Sequence, residues 1–305
     1  MNYRKATLLL FTAFVVFIAT LDACAQTVTG TLNGHITDAS GAIVPQVSIR
    51  AVNQNTGGVR EAVTNNDGYF QINFVPIGTY DLTVTSKGFR TIDKKGVVVE
   101  LNKTTVSDFK LEVATVETSV EVLGGETPLI DTTTGEIKST LNERQVEATP
   151  LAGRNFISLV EQVPGFQPAA FIGSSNNPTN STGSYAAFSG QGTRSSTFQI
   201  DGVNNDDSSE NQNRQNVNIS TIKEFQVLTN AYSAEFGRAG GAVVLVQTKS
   251  GTNKFHGDAY DFIQNDIFNA NDYFLNQSGA KRPPVRRNQY GGTIGGPVWK
   301  NKVFF

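Results

Sequence analysis

Val75-Pro76-Ile77-Gly78-Thr79-Tyr80-Asp81-Leu82-Thr83-Val84-Thr85 is the stretch on which the fold turns. From Tyr80 onward, Tyr80, Leu82 and Val84 share one face and Asp81, Thr83 and Thr85 the other. Period two marks a half-buried strand, because successive side chains of an extended chain point to opposite faces. Pro76-Ile77-Gly78 just before it is a turn signal. Working outward, Val97, Val99 and Leu101 repeat the alternation, as do Phe109, Leu111 and Val113. Gly41, Asn66-Asp67-Gly68 and Lys87-Gly88 punctuate the same region. About seven short strands in about 85 residues predict a small antiparallel β-sandwich over residues 28–113.

The turn sequences narrow this further. Asn66-Asp67-Gly68-Tyr69-Phe70 and Val75 to Val84 with Gly88-Phe89 follow Gly34-His35-Ile36-Thr37-Asp38 and Gly41-Ala42-Ile43-Val44-Pro45. In that order they resemble a carboxypeptidase regulatory-like domain, a transthyretin-type sandwich. The resemblance implies a rigid spacer or, by kinship with carbohydrate-binding-like folds, a glycan contact. It does not imply peptidase chemistry. Catalytic zinc needs three protein ligands, commonly with closely spaced histidines. His35 and His256 stand in different segments, with no His-Glu-x-x-His between them.

Composition agrees with a β-rich, exported chain. Of 305 residues, 38% are hydrophobic and 17% charged, a balance neither acidic-disordered nor typical of a helix-rich enzyme. The formal net charge is -2, and the basic residues are scattered, so no nucleic-acid partner is expected. At the N-terminus, Arg4 and Lys5 precede the apolar run Leu8 to Ala19, and Ala23-Cys24-Ala25 ends it. This reads as a signal peptide over 1–25, with cleavage between Ala25 and Gln26. Leu21-Asp22-Ala23-Cys24 also loosely resembles a lipobox, which leaves lipid anchoring as an alternative. Cleavage after Ala25 would leave the mature chain without cysteine, since Cys24 is the single one.

Beyond the sandwich the pattern becomes mixed. Phe156, Leu159, Val160 and Val163 fall at helical spacing and Pro164-Gly165 stops them, so Asn155 to Val163 is predicted helical. Leu141 to Ala148 is a shorter helical candidate and Pro168 to Ser184 a polar loop. Strands are expected at Ser196 to Ile200, Phe225 to Leu228 and Ala242 to Thr248, giving an α+β unit over 117–248. Its motifs run in order: Pro150-Leu151-Ala152-Gly153-Arg154-Asn155-Phe156, Gly190-Gln191-Gly192-Thr193-Arg194, and Phe198-Gln199-Ile200-Asp201-Gly202-Val203. Ile222-Lys223-Glu224-Phe225-Gln226-Val227 and Gly237-Arg238-Ala239-Gly240-Gly241-Ala242 complete the set. Together they resemble the plug of TonB-dependent outer-membrane receptors, particularly the Oar-like type. Leu228-Thr229-Asn230-Ala231-Tyr232 departs from the Arg-Gly-Pro turn common in siderophore receptors.

The resemblance implies roles for particular residues. Glu117-Thr118-Ser119-Val120-Glu121-Val122, in the 114–122 linker, resembles a TonB box, an extended peptide that adds to the edge of a partner's sheet. Val120-Glu121-Val122 could instead form the first plug strand. Arg154, Arg194 and Arg238 could pair with barrel-wall carboxylates. Gly190 and Gly192 are turn glycines rather than a phosphate cradle, because no βαβ unit surrounds them. Asp201, Asp206, Asp207 and Glu210 lack the spacing of a calcium loop, and Asp201-Gly202 suits a hairpin turn, so no metal and no cofactor is expected.

Residues 249–305 read as the start of a transmembrane barrel. Tyr260 and Phe262 alternate with Ala259 and Asp261, and Tyr290 and Ile294 lie on one side of Arg287 to Val298. Lys281 to Arg287 reads as a polar loop between these two strands. Closing a barrel takes at least about eight strands of roughly ten residues, and this stretch has room for two or three. The fold expected is therefore mainly β: a transthyretin-like β-sandwich, an α+β plug domain, then the first strands of an incomplete barrel. The function implied is energy-coupled uptake of an extracellular ligand, a carbohydrate or a peptide, with a periplasmic TonB-type protein as partner. The outer membrane is the expected location, with the sandwich in the periplasm. Surface adhesion through the sandwich is the competing reading, and no nucleophile–base constellation supports an enzyme.

Overall fold

A computed structural model describes residues 29–114, 120–123, 134–149, 151, 154–168, 186–188, 190–191, 195–207 and 213–305. The signal-peptide reading, with Ala25 and Gln26, lies outside these residues, as do Glu117, Thr118, Ser119, Gly153, Gly192, Arg194 and Glu210.

The first unit is a two-sheet sandwich. Its strands are β1 (Thr29–Asp38), β2 (Ser48–Asn53), β3 (Val59–Val63), β4 (Tyr69–Pro76), β5 (Gly78–Thr85), β6 (Ile92–Val99), β7 (Thr104–Val106) and β8 (Phe109–Leu111). One sheet has the order β4-β1-β7, with β8 also on β1; the other begins β3-β2-β5-β6. Leu32, Ile36, Phe70 and Ile72 from the first sheet meet Ile49, Ala51, Tyr80, Leu82, Val84, Val97 and Val99 from the second, all buried. The alternation of Tyr80, Leu82 and Val84 thus places one face in the core, as expected. The Tyr80 hydroxyl donates to the Pro76 carbonyl at 2.8 Å, satisfying its polar tip inside the sandwich.

Asn66-Asp67-Gly68 forms a tight turn. The Asn65 side chain accepts from the backbone of Asp67 and Tyr69, and Gly68 sits at φ 65. A Cβ there would lie 2.7 Å from the Ile36 carbonyl oxygen, so only glycine fits. Three details differ from the sequence reading. β7 and β8 run parallel to β1, so the sandwich is not purely antiparallel; the tail returns from the opposite sheet and runs alongside β1 in the same direction. Val113 is exposed although Phe109 and Leu111 are buried, because the strand ends at Leu111. Leu101 is fully buried, but in a different core.

β9 (Val120–Leu123) forms the fifth strand of the β3-β2-β5-β6 sheet. It lies parallel to β6, with Ile92 opposite Val120 and Asp93 opposite Glu121. The alternative that Val120 to Val122 opens the plug sheet is therefore corrected. The strand is taken by the nearest open edge, that of β6, rather than by the following domain.

The second unit is built on a sheet of order β10-β15-β16-β13-β14. Its strands are β10 (Ile137–Asn142), β13 (Thr197–Ile200), β14 (Val203–Asn204), β15 (Ile222–Asn230) and β16 (Val243–Thr248); β11 (Phe166–Pro168) and β12 (Ala186–Phe188) form a separate pair. The helix expected from Leu141 starts later, at Glu143–Ala148, because Asn142 caps it. Its side chain accepts from Gln145 N, and the Gln145 side chain accepts from Asn142 N, a reciprocal capping box. The helix expected over Asn155 to Val163 is a 3-10 helix, Phe156–Gln162, capped by Asn155. Phe156, Ile157, Leu159 and Val160 are all buried in it, a wider apolar face than period 3.6 would give, and Pro164-Gly165 leaves no length for an α-helix.

The last segment is a long hairpin, β17 (His256–Asn265) against β18 (Arg286–Gly295), each of 10 residues in unbroken antiparallel register. Ten residues tilted at about 45° span about 24 Å, the height of a barrel's apolar band. β19 (Pro297–Trp299) and β20 (Val303–Phe304) form a short pair beyond it.

Candidate functional site

Function in such an arrangement lies where the central unit meets its neighbours. Two contacts define it: a joint to the sandwich and a contact with the long hairpin.

The joint is organised around Leu101. Its side chain packs with Leu228, Val243 and Leu245, flanked by Ile77, Tyr232, Phe236 and Ala239. Its backbone is held from the plug sheet: Leu101 N donates to Glu224 Oε1 at 3.0 Å, and Gln226 Nε2 donates to Leu101 O at 3.0 Å. Gln226 Nε2 also donates to Thr140 Oγ1 at 2.9 Å, and Lys138 Nζ to Asn102 O at 3.2 Å. Burial pushes the Glu224 carboxyl up to about 7, against the Leu101 N–H that favours its charge; Glu100 raises it further, while Lys103 and Lys223 oppose this.

Beside the joint lies a cavity of about 410 Å³, bordered by Asn53, Thr56 and Ile77 of the sandwich, by Glu143, Lys223 and Lys249 of the plug, and by His256. Its charges are largely spent on each other. Lys249 Nζ reaches Glu143 Oε1 at 3.0 Å and Glu147 Oε1 at 2.7 Å, and Lys223 Nζ reaches Glu143 Oε2 at 2.9 Å. Burial alone would raise the Glu143 carboxyl, but hydrogen bonds from the two lysines hold it below its ordinary value. This network fixes the Glu143–Ala148 helix onto the plug sheet.

The sequence-predicted residues fall into distinct roles. Asp201 and Gly202 form a two-residue hairpin turn between β13 and β14, with φ 50 and 78, the left-handed pair of a type I′ turn. The Asp201 carboxylate accepts from Thr248 N at 2.8 Å, Thr248 Oγ1 at 2.7 Å and Gln247 Nε2 at 2.8 Å, tying the turn to β16. Asp206 accepts from Phe198 N at 2.6 Å. Gly240 and Gly241 donate their N–H groups to the Ser195 carbonyl at 2.7 and 2.9 Å, leading the chain into β16. Gly237 precedes Arg238, whose φ is 61 and whose charge acts on Asp206 within the plug. Asn155 caps the 3-10 helix.

Arg154 behaves differently from the expectation of a carboxylate partner. Its guanidinium lies 3.7 Å from the Phe262 ring centroid and 5.5 Å from that of Tyr260, both on β17. Nη2 donates to Ser220 Oγ at 3.1 Å. The Tyr260 hydroxyl in turn accepts from Asn218 Nδ2 of the plug. These contacts orient the hairpin: Tyr260 and Phe262 face the plug. Ile263, Tyr290 and Ile294, on the opposite face by register, are 70%, 79% and 75% exposed. One face meets the plug, and the other is mixed, carrying Ile263, Tyr290 and Ile294 together with Asp261, Asn288 and Arg286. The cation–aromatic contact was missed in sequence because a charged residue signals a charged partner, whereas aromatic faces carry no sign.

A five-stranded mixed sheet thus lies in contact with a β-sandwich through Leu101 and with a hairpin of two ten-residue strands through Arg154. The chain matches three domain families in chain order: Carboxypeptidase regulatory-like domain over residues 31–112, TonB-dependent Receptor Plug Domain over 130–244, and Outer membrane beta barrel domain over 247–305. It is 27% identical over 288 residues to the TonB-dependent transporter Oar of Myxococcus xanthus, covering 90% of this chain and 26% of that protein. These matches give the chain the domains of a TonB-dependent receptor in order: the accessory sandwich, the plug and the opening of the outer-membrane barrel. It spans about a quarter of the length of that curated relative.

Among solved structures it is similar to the siderophore receptor PirA from Acinetobacter baumannii, at 22% identity, covering 53% of this chain and 22% of that one, with a TM-score of 0.37. The ferric enterobactin receptor from Pseudomonas aeruginosa aligns at 16% identity over 55% of this chain and 24% of that one, with a TM-score of 0.39. A putative carbohydrate-binding protein from Bacteroides uniformis aligns at 25% identity over 27% of this chain and 40% of that one, with a TM-score of 0.24.

Proposed function

We propose that this chain is the gating portion of an outer-membrane transporter that takes up a carbohydrate or a peptide with energy delivered from the periplasm. The observation that carries the reading is the contact of the plug with the inward face of the β17–β18 hairpin, made through Arg154 and Asn218. A plug that touches a wall can close it, and moving the plug opens a path.

The coupling element is the segment Glu117 to Val122, of which Val120 to Val122 lie in β9 on the edge of β6. A short edge strand held by main-chain pairing is suited to exchange, because another sheet edge offers it the same bonds. The domain boundaries proposed are a sandwich to residue 113, a linker to 122, a plug to 248 and barrel strands thereafter, with the sandwich in the periplasm.

The test is deletion of Glu117 to Val122 in the full-length receptor. Uptake by cells is expected to fall to background, while the amount of receptor in the outer membrane and any adhesion of cells to glycan surfaces stay at wild-type level. Uptake that survives the deletion removes this segment from energy coupling.

A further inference from the structure

The guanidinium of Arg154 is held in an unusual way. Its Nε is buried without a hydrogen-bond partner, and Nη2 bonds to Ser220 Oγ at 3.1 Å. Guanidinium carries five N–H donors and cannot shed its charge, so drawing it out of water with few bonds is costly unless something compensates. The compensation lies across the gap to β17. The cation sits 3.7 Å from the centre of the Phe262 ring, with the Tyr260 ring 5.5 Å away, and the negative faces of aromatic rings attract cations.

The wall side is prepared for this contact. Tyr260 and Phe262 lie two residues apart, on the same face of β17, with ring centroids 5.4 Å apart. Opposite Tyr260 in the register stands Gly291, and a Cβ there would come within 2.5 Å of the Tyr260 hydroxyl. The glycine thus leaves space for the ring to lie across the strand pair, and Asn218 of the plug fixes its hydroxyl. On the plug side, Arg154 adopts φ 51, a left-handed backbone uncommon for a residue that carries a side chain. Ring placement and glycine clearance converge on one contact.

We propose that Arg154 is the catch that holds the plug to the barrel wall, with Tyr260 and Phe262 as its seat. Plug movement then begins with withdrawal of this cation from the two rings. The proposal rests on the reading of the β17–β18 hairpin as part of a barrel wall. Arg154 is here a positioning residue: it sets when the plug lets go, not what the receptor binds.

The experiment uses the full-length receptor in a planar lipid bilayer, with urea added on the periplasmic side and plug release read as the opening rate of a conducting pore. Arg154→Gln and Phe262→Leu are each expected to open roughly five- to thirtyfold faster than wild type. The double variant should open no faster than the faster single variant, because both remove one interaction. Arg154→Lys should fall between, and Phe262→Tyr, which keeps the ring, should stay within about twofold of wild type. Tyr260→Leu provides a second, independent cycle with Arg154→Gln. Multiplicative rates in both double variants, or an Arg154→Gln receptor that opens at the wild-type rate, would overturn the catch while leaving the receptor reading intact. A wild-type receptor that shows no pore at any urea concentration would overturn the barrel wall, and the catch with it.

Discussion

At the scale of single residues, Glu224 carries the largest consequence. It is buried at the joint, takes the Leu101 N–H, and its carboxyl is pushed up to about 7. A free glutamate titrates near 4.3. Between these values the folded chain holds a proton that the unfolded chain has released. The contribution of Glu224 to folding stability is therefore greatest below the free value and declines as pH rises towards 7, after which it is flat. The shift corresponds to on the order of 3 kcal/mol. Urea unfolding of the chain at pH 5 and pH 8 should show the plug and its joint weaker at pH 8, and Glu224→Gln should erase most of the difference. A variant that keeps the full pH dependence would place its origin in another group.

At the scale of elements, the Asp201-Gly202 turn shows how a local motif holds a sheet. Three hydrogen bonds from Gln247 and Thr248 converge on the Asp201 carboxylate, and the residue sits at φ 50. Asp201→Ala loses the bonds and places a methyl-bearing residue in a left-handed conformation, so a loss of about 2–3 kcal/mol in plug stability is expected. Asp201→Asn keeps the residue type favoured at the first position of a type I′ turn and should lose about 1 kcal/mol. Urea midpoints of the two variants separate these contributions; equal losses would mean that charge, not turn geometry, dominates.

This turn was legible in the sequence because Asp-Gly between two alternating runs is a short-range signal. So was the buried face of Tyr80, Leu82 and Val84. Leu101 was legible only in part, since alternation says that a side is covered and not by what. It continues the pattern of Val97 and Val99, yet it packs on the plug. The same limit applies to β9: a short alternating strand reads alike whichever edge takes it, and the edge was that of β6. For Arg154, a partner in the 249–305 segment was anticipated but its aromatic kind was not, because ring faces carry no sign in a sequence.

At the scale of the whole molecule, the three units are linked in series rather than merely strung together. Leu101 belongs by sequence to the end of the sandwich and by packing to the plug, and Arg154 belongs to the plug and rests on the wall. A displacement of the plug would therefore disturb both contacts, and on the proposed function the sandwich is expected to respond to it through Leu101.

The position of β9 has one more consequence, which concerns the company of other receptors. While it is docked, it shields the backbone groups along the edge of β6. Once it is drawn away, those groups stand open in the pattern that recruits strands from neighbouring molecules. On the proposed coupling role, the segment is expected to serve also as a guard against self-association through the β6 edge. Deletion of Val120 to Leu123 should convert part of the purified, detergent-solubilised receptor into dimers and larger species by light scattering. A deletion variant that stays as monodisperse as wild type would show that β6 needs no such guard.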